Sequence, residues 1–455
     1  MRTSGILLPI FSLPSKYGIG SFSNEAVRFI DFLVESGQTY WQILPLVPPG
    51  PCESPYQSVS SFAGNPYFID LDQLITQRLL TQEEVDMYDW GERSDRVDYS
   101  LVKKNKDELL RKAFSRSKHY NDASYIDFCK KNDYWLKDYA YYMAFTNNEH
   151  SEYYKYEQYV FNMQWKLIKA YANFKGIKII GDIPIYVAFD SSDVYYNKHL
   201  FDLKDGRMAA VAGCPPDYSS PVPQKWGNPL YNWEEHKKTN YEWWIKRIRR
   251  CFDLHDVIRI DHFRGFYDYY SIPLDDNGAN GEWKLGPGMD LFNRIKEEFG
   301  DVEIIAEDLG FLNQGVFDLL RDTGYSGMKM LLYAFNGGDD NPYLPENLGT
   351  NNCVIYTGTH DNDTVMGWYE KAPQYEKDKF RQYVGEGNPC WKMIELAMST
   401  IADMCIIPMQ DYLELGTEDR TNTPGTTQNN WEWRMKYIPT DLCDRIKELT
   451  KRYNR

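Results

Sequence analysis

Short apolar runs bounded by turn residues recur along the chain and predict buried β-strands. Several runs are followed by a stretch whose apolar side chains return every three or four residues, which is the period of an amphipathic helix. Strands that alternate with such helices are typical of βα units, whose strands pair in parallel. The predicted strands are Gly5–Ile10, Tyr40–Leu46, Ile177–Asp182, Val257–Phe263, Glu303–Leu309, Met328–Phe335, Cys353–His360 and Cys405–Asp411.

Two of the intervening helices are marked clearly by their ends. After the first strand, apolar residues from Ala26 to Leu33 keep a helical period, with Ser23 as a plausible N-cap and Gly37 just beyond the end. After the fifth strand, a stripe that begins at Val316 ends near Gly324. Eight such units predict an α/β fold of the (β/α)8 TIM barrel type rather than an open sheet.

The spacing between the predicted strands is uneven. Residues 47–176 separate the second strand from the third, and residues 183–256 separate the third from the fourth. The rest of the chain is close to the roughly 250 residues of a bare barrel. We therefore expect a single barrel domain over residues 1–455 that carries two inserted subdomains on the loops of its C-terminal face.

The two insertions differ in composition. The first is expected to be mainly helical, because its apolar residues keep a helical period. The stripe that shows this consists of Tyr156, Val160, Met163, Leu167 and Tyr171. The second is rich in Pro, Gly and Trp, as in Trp226-Gly227-Asn228-Pro229, and is expected to be loop-rich.

Charge and composition exclude several classes of partner. The chain has 51 Lys and Arg against 66 Asp and Glu, a formal charge of -15, so its field repels nucleic acids and anionic membranes. No run approaches the roughly 20 apolar residues of a membrane span. The eight cysteines form no C-x-x-C pair and are expected to be reduced, which predicts a cytoplasmic protein.

Four predicted strands end in a carboxylate, at Asp182, Asp261, Glu307 and Asp361. A lone Asp in this position usually caps a helix or bonds to a loop. In a barrel of this type, however, the active site lies at the carboxyl ends of the strands. Four carboxylates on one rim therefore favour a catalytic site.

The carboxylates are expected to differ in protonation. Arg259 and Asp261 lie two residues apart on one strand face, and a neighbouring guanidinium favours an ionised carboxylate, as a nucleophile requires. A purely structural ion pair is the alternative. Glu307 follows three apolar residues, and apolar surroundings raise the pKa of a carboxyl, which suits a general acid. One ionised and one protonated carboxyl are what glycoside cleavage needs.

Asp361 would then be a third carboxylate that stabilises positive charge in the transition state. A metal site is the competing interpretation. Its ligands would be His262 and His360 together with the strand-end Asp residues. No H-x-H pair closes a predicted strand, so the sequence predicts neither a metal nor another cofactor.

Longer motifs extend along nearly the whole chain. They are Ser54-Pro55-Tyr56-Gln57, Gly181-Asp182-Ile183-Pro184-Ile185-Tyr186-Val187-Ala188, Gln224-Lys225-Trp226-Gly227-Asn228-Pro229-Leu230-Tyr231, Arg259-Ile260-Asp261-His262-Phe263-Arg264-Gly265, Gly281-Glu282-Trp283, Gly286-Pro287-Gly288, Ala306-Glu307-Asp308-Leu309-Gly310, Thr359-His360-Asp361, Asn422-Thr423-Pro424-Gly425-Thr426 and Asn430-Trp431-Glu432-Trp433-Arg434. In this order the chain resembles the 4-α-glucanotransferase family (amylomaltase, or disproportionating enzyme), a branch of the α-amylase-like retaining barrels.

The resemblance implies transfer of a 1,4-α-glucan segment to the 4-hydroxyl of an acceptor through a β-glucosyl-Asp intermediate. Asp261 matches the family nucleophile, Glu307 the acid/base and Asp361 the transition-state stabiliser. The implied partners are maltooligosaccharides and α-1,4-glucans. The implied substrate-binding residues are Tyr56, Asp182, Trp226, Asn228, Arg259, His360, Asn422, Pro424 and Gly425. A hydrolase with the same carboxylates, and a barrel that binds glucan without turnover, remain as alternatives.

Overall fold

Eight parallel strands close into a barrel in the computed structural model, which describes residues 2–216, 222–278, 280–310 and 312–455. The barrel strands are β1 (Thr3–Leu7), β2 (Tyr40–Gln42), β3 (Lys178–Ile183), β4 (Val257–Ile260), β5 (Ile304–Ala306), β6 (Ser326–Met330), β7 (Cys353–Tyr356) and β8 (Met404–Pro408). Each strand pairs with its neighbours in chain order, and β8 pairs with β1. Each lies within or overlaps one of the eight predicted runs, so the (β/α)8 barrel prediction is confirmed.

The barrel strands are apolar on both faces. One cluster, which includes Leu7, Ile180 and Val354, fills one side of the closed sheet. Alternate residues such as Ile6 and Ile179 belong to the larger cluster under the helices. Because successive side chains of a strand point to opposite faces, burial on both sides requires the continuous apolar runs seen in the sequence.

The last strand completes the barrel by pairing with the first. The register runs from Thr3 opposite Met404 to Leu7 opposite Pro408. The Thr3 hydroxyl also donates to the carbonyl of Asp403, 400 positions further along the chain, at 3.2 Å. Closure therefore joins the two ends of the described chain.

Helices surround the barrel and fill the long connections. They are Asn24–Glu35, Leu71–Thr76, Gln82–Asp86, Tyr99–Arg116, Ala123–Lys131, Asp133–Asn147, Ser151–Phe174, Ser192–Tyr196, Trp233–Lys238, Glu242–Leu254, Met289–Phe299, Gln314–Thr323, Val365–Lys371, Gln374–Val384, Pro389–Ser399, Met409–Tyr412 and Cys443–Arg452. The Ser23 side chain caps the first of them, as predicted, and Gly324 ends Gln314–Thr323 in the left-handed region. Among the described helices, none has the length and apolar character needed to cross a membrane.

The helix Ser151–Phe174 shows the predicted period but buries a different stripe. Tyr156 and Val160 of the predicted stripe are buried, whereas Met163 and Leu167 are 40% and 63% exposed. The buried face carries two glutamines instead. Gln158 bonds to the backbone of Gly64 at 2.6 and 2.8 Å, and Gln164 bonds to that of Asp70 at 2.7 and 3.2 Å. These paired bonds satisfy the amides and make their burial favourable.

A four-stranded antiparallel sheet, called here the side sheet, stands beside the barrel. Its strands, in spatial order, are Glu282–Leu285, Asp268–Pro273, Ala210–Cys214 and Gln224–Pro229. The segment 224–229, expected to be loop, is therefore an edge strand. Two strands of the sheet follow β4 in the chain, so the sheet joins the second insertion to the connection between β4 and β5. Residues 217–221 of that insertion lie outside the described residues.

Candidate active site

A cleft of about 970 Å³ opens at the carboxyl ends of the barrel strands. Its volume suits an extended ligand. Ten of the predicted site residues line it: Tyr56, Trp226, Asn228, Arg259, Asp261, Glu307, Asp361, Asn422, Pro424 and Gly425. Asp182 and His360 are buried directly beneath, where each bonds to the Tyr56 hydroxyl. The fold thus brings together all twelve predicted residues.

Arg259 on β4 links two of the carboxylates. Its Nη1 donates to both oxygens of Asp182 at 2.8 Å and to Oδ1 of Asp261 at 2.9 Å. Burial lowers the pKa of the Arg259 guanidinium, but Asp182 and Asp261 outweigh burial and hold the pKa above its ordinary value. The charged guanidinium fixes the Asp261 carboxylate, whose side chain is 26% exposed to the cleft.

Glu307 follows β5, and backbone donors hold both of its oxygens. The His262 N–H donates to Oε2 at 2.8 Å, and the Leu309 N–H donates to Oε1 at 2.9 Å. Burial raises the pKa of Glu307 to about 8; Arg259 opposes this rise, and Asp261 adds to it. Burial therefore favours the protonated form of Glu307 at neutral pH, as its apolar flank in the sequence indicates.

Asp361 lies beyond β7 with its charge compensated. His360 Nε2 is 3.2 Å from Oδ2, and Asn422 Nδ2 donates to Oδ1 at 2.7 Å. Burial raises the pKa of Asp361, but His360 and Asn422 outweigh burial and hold it well below the usual range. The surroundings thus favour an ionised carboxylate at Asp361 and a protonated carboxyl at Glu307.

Tyr56 connects the floor of the cleft to its rim. Its hydroxyl donates to Asp182 Oδ2 at 2.9 Å and lies 2.9 Å from His360 Nε2. The Tyr56 ring stacks on His360 at 5.4 Å and 15°, and Trp431 lies 5.7 Å away. These contacts build an aromatic wall next to Asp361.

The side-sheet strand Gln224–Pro229 forms a further part of the rim. Gln57 Nε2 donates to Asn228 Oδ1 at 3.0 Å and to the Trp226 carbonyl at 3.1 Å. Asn228 in turn donates to the Val187 carbonyl at 2.8 Å. The Trp226 ring meets the ring of His262 edge to face at 4.8 Å. Trp226 is thereby placed next to the residue whose N–H binds Glu307.

The segment 422–426 is attached to Asp361 through Arg420. Arg420 Nη2 donates to the Asp361 carbonyl, and its Nε donates to the Asn422 carbonyl, both at 2.8 Å. The Asn422 N–H also donates to the His360 carbonyl at 3.0 Å. Pro424 and Gly425 extend this segment along the cleft edge. The loop and Asp361 therefore form one unit.

Among the cleft residues that sequence reasoning did not single out are Gln57, Trp283, Arg420 and Trp431. Three of them lie inside the motifs quoted above, and Arg420 lies two positions before Asn422. Residue type alone did not mark them, because Trp most often packs in a core and Gln and Arg are common on surface loops. Across the described ranges, no group of three or more His, Cys, Asp or Glu residues is arranged to hold a metal ion.

Comparison with known proteins is consistent with this geometry over the whole chain. The family model of glycoside hydrolase family 77, 4-alpha-glucanotransferase, matches residues 8–152 and 145–440. A 4-alpha-glucanotransferase of Clostridium butyricum is 45% identical over 98% of this chain and 99% of its own. One from Streptococcus pneumoniae is 43% identical over 100% and 97%. The amylomaltase of Streptococcus agalactiae, solved in complex with acarbose, superposes with a TM-score of 0.95 at 36% identity, covering 100% of both chains. The chain therefore belongs to the 4-alpha-glucanotransferase family.

Proposed function

We propose that the cleft transfers α-1,4-glucan segments by a retaining double displacement in which Asp261 is the nucleophile and Glu307 the acid/base. Family membership makes the protein a 4-alpha-glucanotransferase that acts on α-1,4-glucans. The observation that carries the residue assignment is the contrast between two adjacent groups. Glu307 is buried and bonded, among the described residues, only to backbone N–H groups, which favours its protonated form, whereas Asp261 bonds to the guanidinium of Arg259.

In the first half-reaction, Glu307 donates its proton to the glycosidic oxygen while an oxygen of Asp261 bonds to the anomeric carbon. The C–O bond to the leaving chain breaks, and a β-glucosyl ester of Asp261 forms. The ionised Glu307 then takes the proton from the 4-hydroxyl of an acceptor glucan. That oxygen displaces Asp261, and the second inversion restores the α configuration.

Asp361 stabilises the positive charge that develops on the sugar ring between the two covalent states. Its low pKa, set by His360 and Asn422, supports this role because the group stays ionised throughout the working range of pH. Tyr56, Asp182 and His360 lie on the same side of Asp261. We assign this side to the donor sugar.

The two insertions are proposed as subdomains that build the cleft on one catalytic barrel. Residues 47–176 supply Tyr56, and residues 183–256 supply Trp226 and Asn228. Rims on both sides of the ester intermediate favour transfer, because a bound acceptor displaces water from the site. Maltooligosaccharides are the proposed substrates. The eight free cysteines, six of them buried, support a reducing cytoplasmic location.

The function is tested by incubating the protein with maltotriose alone and separating the products by size over time, with a chelator-treated parallel. Transfer yields glucose together with longer maltooligosaccharides, and the chelator has no effect. Glucose and maltose without longer chains would instead mean a hydrolase. Loss of activity with the chelator would revive the metal interpretation, and maltotriose binding without turnover would mean a silent barrel.

The raised pKa of Glu307 predicts the alkaline limb of the pH profile. The pH dependence of kcat/KM reports the pKa values of the free enzyme. Because the first step needs protonated Glu307, kcat/KM should be retained up to about pH 8. Above that pH it falls about tenfold per unit as the proton is lost. The measurement is kcat/KM for maltotriose between pH 5 and 10. A limb near pH 5 would contradict the assignment of Glu307 as the acid.

Arg420→Lys is expected to lower kcat about tenfold, because one ammonium group cannot hold both carbonyls at the positions of Nη2 and Nε. Asp361 then loses its fixed place relative to Asn422. The measurement is kcat and KM with maltotriose, using Arg321→Lys on an exposed helix as the control. A change in KM alone would mean that Arg420 binds substrate rather than positions Asp361.

A further inference from the structure

Trp283 lines the cleft but has no place in the chemistry described above. It lies on the edge strand Glu282–Leu285 of the side sheet and is 41% exposed. A large aromatic side chain left half open to a cleft is a suitable surface for an apolar ligand face. The sugar rings of an α-1,4-glucan present such faces on their C–H groups.

A fixed cation supports the Trp283 ring. The guanidinium carbon of Arg264 lies 3.5 Å from the ring centroid. Arg264 Nε and Nη2 donate to Asp268 at 2.7 and 3.1 Å, and Asn313 Nδ2 donates to the same carboxylate at 2.7 Å. Tyr270, opposite Trp283 in the sheet, lies 5.1 Å away. The indole is therefore held in place before any ligand arrives, which lowers the entropy cost of binding.

The position of Trp283 relative to Glu307 identifies the part of the substrate that it meets. Glu307 protonates the oxygen between the donor sugar and the leaving chain, and the His262 N–H binds Glu307. Arg264, which supports Trp283, follows His262 by two residues. The donor-side groups are joined to one another instead, with Tyr56 bonded to Asp182 and His360, and His360 paired with Asp361. Trp283 therefore lies on the side of the leaving chain and of the acceptor that replaces it.

Trp283 and Trp226 occupy opposite edges of the side sheet. Three strand spacings separate the two edges, which is about 14 Å. One sugar ring cannot contact both side chains. If Trp226, next to His262, meets the acceptor near the reacting bond, then Trp283 meets a unit further along the same chain.

We propose that Trp283 is an acceptor-side glucan platform that selects oligosaccharide acceptors over glucose. The proposal rests on the transfer function described above. Arg264 covers one face of the indole, and the open face stacks on a sugar ring beyond the first acceptor unit. Glucose, a single ring bound at the reacting position, does not reach the platform, whereas maltotriose does. Trp283 thereby determines which acceptor receives the glucan segment.

The test uses α-maltotriosyl fluoride as donor and either glucose or maltotriose as acceptor, with initial rates of transfer and of fluoride release. Trp283→Ala is expected to raise the KM for maltotriose as acceptor about tenfold, because aromatic stacking is lost. The KM for glucose is expected to change less than about twofold. Trp283→Phe retains a ring and should recover most of the maltotriose affinity.

Leu285→Ala is the matched control, because Leu285 lies on the same strand and is 75% exposed. It should leave both acceptor constants unchanged. An equal rise of both KM values in Trp283→Ala, or no rise in either, would overturn the platform, as would an equal loss of fluoride release and transfer. If the wild-type protein made no products longer than maltotriose, the transfer function itself would be contradicted instead.

Discussion

Asp261→Asn is expected to stop glucan transfer, lowering kcat with maltotriose by at least about 10⁴-fold. The amide is nearly the same size as the carboxylate but cannot form the glucosyl ester. Residual turnover would come only from binding and from the remaining carboxyl groups. The measurement is product formation from maltotriose, followed for hours so that even a single turnover per enzyme molecule is detected.

The folded state should survive this change. Arg259 keeps both of its bonds to Asp182, so the buried guanidinium retains a counter-ion when Asp261 becomes neutral. Circular dichroism in the near ultraviolet and the thermal midpoint should match those of the wild-type protein. Unfolded Asp261→Asn protein would favour the structural ion pair, the alternative weighed from the sequence.

Glu307→Gln is expected to slow transfer from maltooligosaccharides about 10²- to 10⁴-fold, the range for loss of a general acid. The same variant should slow release of fluoride from α-maltotriosyl fluoride much less, because fluoride leaves with little help from an acid. The ratio of the two losses is the diagnostic quantity. Equal losses on both donors would remove Glu307 from the acid role.

Glu303→Gln provides the matched control for Glu307→Gln. Glu303 directly precedes β5, and its side chain is 41% exposed and pairs with Lys178 at 2.7 Å. Exposed ion pairs contribute about 1 kcal/mol or less to stability. Glu303→Gln should therefore keep wild-type rates on both donors. A large loss of rate in Glu303→Gln would mean that Glu307→Gln acts by disturbing the packing around β5.

The barrel and its rim could be predicted because burial on two faces leaves a strong local signal. Ile304, Ile305 and Ala306 are all buried, and the first polar residue after them, Glu307, has to lie where the strand leaves the core. The same holds for Asp261 after β4. Strand ends in a closed parallel sheet share one rim, so local patterns sufficed to bring the carboxylates together.

Features that depend on long-range partners could not be predicted. The burial of Gln158 and Gln164 is one such feature, because their partners, the backbones of Gly64 and Asp70, lie 94 positions away. The strand Gln224–Pro229 contains Gly227, ends at Pro229 and follows Pro223, a composition typical of a loop. It is a strand because Ala210–Cys214 pairs with it. Its edge position tolerates the prolines. The support of Trp283 by Arg264 is another such contact.

Closure of the barrel between β1 and β8 has a consequence for biosynthesis. The outer edge of β1 stays without its partner strand until about 400 further residues have been synthesised, since Thr3 meets Asp403 across 400 positions. Joining such distant segments carries a loop-closure cost that grows with the logarithm of their separation. Until then β1 presents an apolar strand with open hydrogen-bonding groups, the kind of edge to which other nascent chains adhere. The barrel can therefore close only after β8 has been synthesised, however stable the finished barrel is.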